Sequence, residues 1–295
     1  MIKLYRKIVP TSIRKKIYKS FIGDIVEYFK FFKFHMKGIY TLCFYKLLPS
    51  NEINKVYAFF GRHGISAFPY DYSLKYKNMH VEAGFDDAKD MPYVIHENKK
   101  LYLPKVLGSM FIDYYRGLLI ENDCESSHRY VGSYDELKGK TLFDIGAAEG
   151  MFSLSVIDLV QEVYIFEYDE KWIGALEATF EPWKEKATIV KKYANNFSDN
   201  ENITVDDFIR GKSIHHLFLK LDVEGAEQQV LNGALETINN IPTVDLAVCT
   251  YHHEKDAEEI SQRFTEWGFS YIFTSGYLFF EKQLRKALIR GNKVN

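Results

Sequence analysis

The segment Thr141-Leu-Phe-Asp-Ile-Gly-Ala-Ala-Glu-Gly-Met-Phe-Ser-Leu154 limits the fold more than any other part of the chain. A β-prone run ends in Asp144, a loop with Gly146 and Gly150 follows, and an apolar-periodic helix then begins. A strand, a loop free of bulky side chains and a helix N-terminus together make a nucleotide-cofactor site. A dinucleotide site needs Gly-x-Gly-x-x-Gly, so that backbone amides can wrap a pyrophosphate. Here the pattern is Asp-x-Gly-x-x-x-Gly, with Glu149 inside the loop. An acid there repels phosphate and suits an ammonium group. The segment therefore predicts a cofactor with an amino-acid end and no phosphate, and S-adenosylmethionine fits.

From Lys140 onward, strand-like and helix-like runs alternate, which predicts a parallel sheet wound on both faces. Strands are expected at 141–145, 163–167, 187–193, 217–222 and 244–250. Helices are expected near 150–160, 170–180, 205–210 and 225–238, with a further helix carrying Ile260, Phe264 and Trp267 and ending at Gly268. Residues 269–274 and 277–282 read as a hairpin through Ser275-Gly276, which would close the parallel sheet with an antiparallel strand.

Ahead of this core, residues 91–104 predict a β-hairpin turning at Glu97-Asn98-Lys99, and a helix follows over about 109–122. The first 20 residues carry Lys3, Arg6, Lys7, Arg14, Lys15, Lys16 and Lys19 and no acid. One amphipathic helix is expected from about 24 to 48, with a wide aromatic face that needs a cover: the body of the protein, a homodimer partner or a membrane surface. The expected boundary lies between residues 137 and 138.

Bulk properties exclude several classes. At 46% hydrophobic over 295 residues the chain can bury one large or two modest cores. A net charge of −2 gives no field to attract nucleic acid, so no nucleic-acid partner is expected. Cys43, Cys124 and Cys249 are few and scattered, which suits a reducing compartment. No apolar run is long enough to span a bilayer. These features predict a cytoplasmic protein, with peripheral membrane contact as the variant that the basic N-terminus suggests.

Ligands of open α/β sheets sit beyond the carboxyl ends of the strands. Glu167 ends the second strand, 23 residues after Asp144, where an acid accepts hydrogen bonds from ribose hydroxyls. Along the fourth strand Lys220, Asp222 and Glu224 alternate onto one side, and Glu227 lies one helical turn beyond Glu224. The fifth strand ends in Cys249-Thr-Tyr-His-His253, and an imidazole there can take a proton from a hydroxyl. The catalytic set is therefore His252, Asp222, Glu224 and Lys220, with His252 as base and His253 and His128 behind it. The cofactor set is Asp144, Gly146, Ala147, Gly150, Glu167, Tyr168 and Asp222. Asp222, Glu224, Glu227, His252 and His253 are also compatible with a divalent ion, but no ligand spacing requires one and none is expected. His215 and His216 precede the fourth strand, at the wrong edge of the sheet. Ser126-Ser-His-Arg-Tyr130 reads as a lid over the site or a solvated connector.

Asp144-Ile-Gly-Ala-Ala-Glu-Gly150, Glu167, Lys220-Leu-Asp-Val-Glu-Gly-Ala-Glu-Gln-Gln-Val-Leu-Asn-Gly233, Thr204-Val-Asp-Asp-Phe and Tyr251-His-His253 resemble the FkbM family of S-adenosylmethionine-dependent methyltransferases. The resemblance covers about residues 138 to 281. It implies a Rossmann-like class I methyltransferase fold, a seven-stranded mostly parallel sheet with an antiparallel last strand. It also implies O-methylation, often of sugar or polyketide hydroxyls. In that scheme Asp144, Gly146 and Gly150 line the methionine end and Glu167 takes the ribose. The second strand runs on as Phe-Glu-Tyr-Asp where the family commonly has Glu-Pro. The expected activity is methyl transfer to a small-molecule or glycan hydroxyl. The rival is a catalytically silent glycan- or membrane-binding module that keeps only the fold.

Overall fold

A computed structural model describes residues 31–295. The basic N-terminal stretch and the start of the helix expected from residue 24 lie outside the described residues. Two compact units are present, one ending at Tyr70 and one spanning Asp71–Asn295. The expected boundary at 137/138 falls within the second.

In the first unit, α1 (Phe32–Phe44) packs on α2 (Glu52–His63). Asn51 caps α2, accepting a hydrogen bond from Asn54 N at 2.9 Å, which satisfies one of the amides a helix start leaves open. The two helices cross at glycine: a Cβ on Gly38 would sit 2.8 Å from Gly61 N. The expected continuous helix to residue 48 ends instead at Phe44, followed by one 3-10 turn, Tyr45–Leu47.

The second unit opens with a three-stranded antiparallel sheet, β1 (Ala83–Asp86), β2 (Met91–His96) and β3 (Lys99–Tyr102). Glu97 and Asn98, both at positive φ, form a two-residue turn between β2 and β3, and Lys99, expected within the turn, opens β3. α3 (Phe111–Glu121) follows. The core then runs β4 (Thr141–Ile145), α4 (Met151–Val156), β5 (Glu162–Phe166), α5 (Glu170–Phe180) and β6 (Ala187–Val190). Next come the short pair β7 (Tyr193–Ala194) and β8 (Asn202–Ile203), α6 (Val205–Ile209) and β9 (His216–Leu221). The chain continues through α7 (Glu227–Asn232), α8 (Leu235–Asn240), β10 (Thr243–Cys249), α9 (Asp256–Glu266) and β11 (Ser270–Phe273). It ends with β12 (Leu278–Phe280), β13 (Gln283–Arg285) and β14 (Leu288–Val294).

The main sheet has seven strands in the order β11-β14-β10-β9-β4-β5-β6. β6, β5, β4, β9 and β10 are mutually parallel, and β14 runs antiparallel to both β10 and β11. The chain moves outward from β4 to β6 and then returns to lay β9 on the other side of β4. The switch point of strand order thus falls between β4 and β9, where a crevice opens above the strand ends. Phe143, Ile145, Leu219, Leu221, Leu246 and Val248 fill one face of the sheet and are essentially buried. This order, with one antiparallel strand at the β10 side, is that of the class I methyltransferase fold.

Three sequence expectations need correction. The antiparallel closing strand is Leu288–Val294 and not residues 277–282, of which Leu278–Phe280 pairs with Gln283–Arg285 as a separate hairpin. The helix expected over 225–238 is two helices broken at Gly233-Ala234. A Cβ at Gly233 would lie 2.1 Å from Asn195 O, and the Gly233 carbonyl accepts from Asp206 N, so a neighbouring loop occupies the space a continuous helix needs. The third strand stops at Val190, and Tyr193–Ala194 leaves the sheet to pair with β8.

Candidate functional site

The glycine loop is held from below by a buried ion pair. Asp144 is 1% exposed; its Oδ1 lies 2.9 Å from Lys220 Nζ and its Oδ2 accepts from Ser153 Oγ at 2.6 Å. Lys220 Nζ also donates to Gly146 O at 2.6 Å. Burial alone would lower the Lys220 pKa, but Asp144 and Asp222 outweigh it and raise it above the ordinary value, so the ammonium stays charged. Gly146, at φ +76, lies so close to β9 that a Cβ would fall 1.9 Å from Asp222 O. Gly150, at φ +78, starts α4, and a Cβ there would meet Leu176 at 2.7 Å. Ala148 and Glu224 also hold positive φ, 49° and 53°, an arrangement that costs non-glycine residues energy and clusters at functional sites.

Two adjoining cavities open over this loop. One, of about 390 Å³, is lined by Gly146, Ala148, Glu167, Tyr168, Trp172 and Tyr193 among others. Glu167 stands one residue past β5. Its Oε2 accepts from Ala148 N at 2.9 Å, and its Oε1 accepts from Tyr168 N and Asp169 N, each at 2.8 Å. Oε1 has used both lone pairs, and Oε2 keeps one acceptor position toward the cavity. Tyr168 stands where the resembling family commonly has proline, and Asp169 caps α5, its side chain accepting from Lys171 N. Tyr168 and Tyr193 stack with ring centroids 4.0 Å apart at the outer wall.

The second cavity, of about 330 Å³, is walled by α3, the glycine loop and the ends of β9 and β10. It brings together Asp144, Gly146, Ala147, Lys220, Asp222 and Glu224 of the expected set, and adds Tyr114, Glu121, Glu149, His128 and Tyr251. The two cavities share Gly146, Ala148, Asp222 and Glu224, so they are halves of one cleft.

Asp222 is the hub of the second cavity. Tyr130 OH donates to its Oδ2 at 2.7 Å, with His128 Nε2 3.6 Å from the same oxygen and His252 Nε2 3.7 Å from Oδ1. Burial would raise the Asp222 pKa, but His128, Lys220, His252 and the Tyr130 hydroxyl together pull it below the ordinary value. His252 lines neither cavity and stands behind the two acids, its Nε2 3.6 Å from Glu224 Oε2 and its Nδ1 2.9 Å from Glu227 Oε1. Burial lowers its pKa; Glu227 first, then Asp222 and Glu224, reverse that and raise it above the ordinary imidazole value. Glu227 itself is 1% exposed and also accepts from Val223 N at 3.0 Å.

Other expected residues fall elsewhere. His253 is exposed, its Nε2 3.2 Å from Gly225 O. His216 sits at the opposite edge of the sheet, bonded to Asp245 at 2.7 Å. Ser126, Ser127, His128 and Tyr130 are buried, so the loop expected as a lid or solvated connector is an inner wall. Tyr114, Glu121 and Glu149 were not anticipated as a group. Tyr114 OH donates to Glu149 Oε2 at 2.7 Å and its ring packs 5.7 Å from Trp172. A signal for α3 existed: residues 114, 117, 118 and 121 recur at helical spacing on one side.

The strand order, with an acid-lined cleft at its switch point, is that of the class I methyltransferase fold. A family model described as the methyltransferase FkbM domain matches residues 118–271, just over half of the chain. The chain belongs to the FkbM methyltransferase family. Among solved structures it is similar to the FkbM methyltransferase of Methylobacillus flagellatus, at 15% identity and TM-score 0.42, over 61% of this chain and 52% of that one. It thus spans about half the length of that protein. It is also similar to a putative methyltransferase from Streptococcus mutans in complex with S-adenosylhomocysteine, at 11% identity and TM-score 0.38, over 54% and 93% of the two chains. An rRNA methylase from Streptococcus thermophilus is similar at 11% identity and TM-score 0.37, over 55% and 92%. No curated protein matches the chain.

Proposed function

We propose that the chain is an S-adenosylmethionine-dependent O-methyltransferase acting on a hydroxyl of a sugar, in a glycan or a glycosylated metabolite. The observation that carries this reading is the divided cleft: a ribose-type acid in one half and a buried carboxylate and histidine cluster in the other, joined at Gly146 and Asp222. The residues fit such a cofactor. Glu167 has spare acceptor capacity for the ribose diol, the Tyr168 and Trp172 side offers flat apolar surface for a base, and the acid-lined glycine loop suits an ammonium group. When bound, S-adenosylmethionine supplies an electrophilic methyl on a sulfonium.

The protein's part is then to place an oxygen and remove its proton. The hydroxyl must stand roughly 3 Å from the methyl, in line with the breaking bond. Asp222, which lines the cavity, accepts the hydroxyl's hydrogen bond and orients it. Glu227 favours the His252 tautomer with its proton on Nδ1, so Nε2 presents a lone pair toward Asp222 and Glu224. His252 stands behind Asp222, so the proton that the hydroxyl loses as its oxygen acquires the methyl passes to the Asp222 carboxylate and from it to His252 Nε2, 3.7 Å from Oδ1. Lys220 fixes the loop and keeps Asp222 ionised. Acceptor choice belongs to the segment ahead of residue 138, because α3 walls the acceptor half.

The experiment is incubation of purified protein with S-adenosylmethionine and a panel of sugars and surface-type glycans, read by mass spectrometry. The expected result is one product heavier by a methyl group on oxygen, with stoichiometric S-adenosylhomocysteine. Cofactor binding with no methylation of any member would favour the silent-module rival.

A further inference from the structure

α1 turns its large side chains away from its partner helix. Its buried residues are Gly38 and Thr41, and Gly38 meets α2 backbone to backbone: a Cβ on Gly61 would fall 2.6 Å from Gly38 O. α2, by contrast, buries Val56, Tyr57, Phe59 and Phe60. On the opposite side of α1, Met36, Ile39, Tyr40 and Phe44 recur at helical spacing, and Leu47 extends the row into the following 3-10 turn. Tyr40 is 59% and Leu47 83% exposed, and the other three are exposed as well. The Tyr40 and Phe44 rings pack together with centroids 4.9 Å apart, so the row is one surface. A contiguous apolar patch of this kind marks a place that another molecule or a membrane covers.

Charge identifies the cover. From Phe31 to Asn51 there is no aspartate, glutamate or arginine, and the lysines are Lys33, Lys37 and Lys46. Lys37 stands 3.9 Å above the Tyr57 ring, at the seam with α2, while Lys33 and Lys46 are exposed. Residues 1–20, ahead of this helix in the chain, add seven lysines and arginines and no acid. A second copy of the chain meeting this face about a twofold axis would bring like charges together. An anionic lipid surface takes both features: acyl chains cover the apolar row, and headgroup phosphates meet the lysines. Tyrosine suits that depth, because its ring is apolar and its hydroxyl stays wet. With 13 residues α1 is too short to span a bilayer, so it lies in the interface.

We propose that α1 docks the protein on an anionic membrane surface, seating the row from Met36 to Leu47 among the headgroups while the basic N-terminal segment is drawn to the same surface. The apolar row supplies the insertion and the lysines supply the preference for anionic lipid. This inference does not rest on the reading of the cleft.

The test is sedimentation of the full chain with phosphatidylcholine vesicles, with and without phosphatidylglycerol, at low and at high salt. The expected result is roughly tenfold or stronger partitioning into the anionic vesicles, weakened by salt. Tyr40→Asp with Leu47→Asp should cut that partitioning about tenfold or more at an unchanged melting temperature. A polarity-sensitive fluorophore on Cys43, the one exposed cysteine left in a Cys124→Ser chain, reports the face itself without disturbing the row. Its emission should shift to the blue when anionic vesicles are added. No binding to anionic vesicles, or equal binding to neutral ones, overturns the proposal. Unchanged partitioning of the double variant, or sedimentation with an unshifted label, also overturns it, because the basic segment alone would then hold the chain. A label shift without lipid as the protein is concentrated, together with a dimer in ultracentrifugation, would make a second copy the occupant and overturn it as well.

Discussion

His252 shows how a residue can be central to a site without touching its cavity. The role of base proposed for it rests on Glu227 and on the pair Asp222 and Glu224 in front of it. His252→Ala should lower turnover by about 10²- to 10⁴-fold, the usual worth of a general base, while binding S-adenosylhomocysteine as before. Single-turnover kinetics beside calorimetry separates the two; full turnover in the variant would move the base elsewhere. The pH dependence follows from the raised His252 pKa. A protonated imidazole cannot accept a proton, so activity falls as pH drops through that raised value. Glu227→Gln removes the largest raising contribution, so the acidic limb of the rate profile should shift to lower pH. An unmoved limb would mean another group titrates. Glu167→Ala should weaken cofactor binding by about 1.5–3 kcal/mol, the worth of hydrogen bonds to a charged acceptor. These residues were legible in the sequence because strand-end acids and histidines have a definite place in an α/β sheet. Glu121 was not, since a single acid at a helix end carries no spacing signal.

Secondary-structure elements divide the same way. β4, the glycine loop, α5 and the β2–β3 hairpin were readable because their signals are local: a glycine pair after a β-prone run, the alternation of strand-like and helix-like runs, and a polar turn between two β-prone runs. β14 was missed because its partners β10 and β11 are distant in sequence, and the more apolar Leu278–Phe280 mimics a closing strand. The docking of α3 and β2 on the core was equally hidden, since it depends on one buried histidine. His96 Nδ1 lies 2.9 Å from Tyr115 OH on α3, and its Nε2 lies 2.8 Å from Ser155 Oγ on α4. Burial pushes the His96 pKa down to about 4. The unfolded chain, with an imidazole near 6.5, binds more protons over the interval between, so stability is full above pH 6.5 and falls as pH drops toward 4. Replacing His96 with Leu should flatten that slope and leave the buried Tyr115 hydroxyl without its partner, at a cost of about 1–3 kcal/mol, while Ser155 Oγ keeps its bond to Met151 O. Thermal denaturation from pH 7 to pH 4 measures both effects; a slope unchanged in the variant would assign the acid sensitivity to other groups.

In the molecule as a whole, the parallel strands carry the cofactor half of the cleft, and the segment from Asp71 to Leu137 supplies a wall of the other half through α3. No described helix is long and apolar enough to cross a membrane. The central claim is that the cleft over β4, β5 and β9 binds S-adenosylmethionine, and the most direct test is the melting temperature of the purified chain with S-adenosylhomocysteine and, separately, with NAD. A ligand that binds only the folded state adds RT ln(1 + [L]/Kd), about 2.7 kcal/mol at a hundredfold excess over Kd. The account predicts a clear upward shift with S-adenosylhomocysteine, cut by about half or more in Glu167→Ala at the same concentration, and none with NAD; a shift with NAD and none with S-adenosylhomocysteine would contradict it.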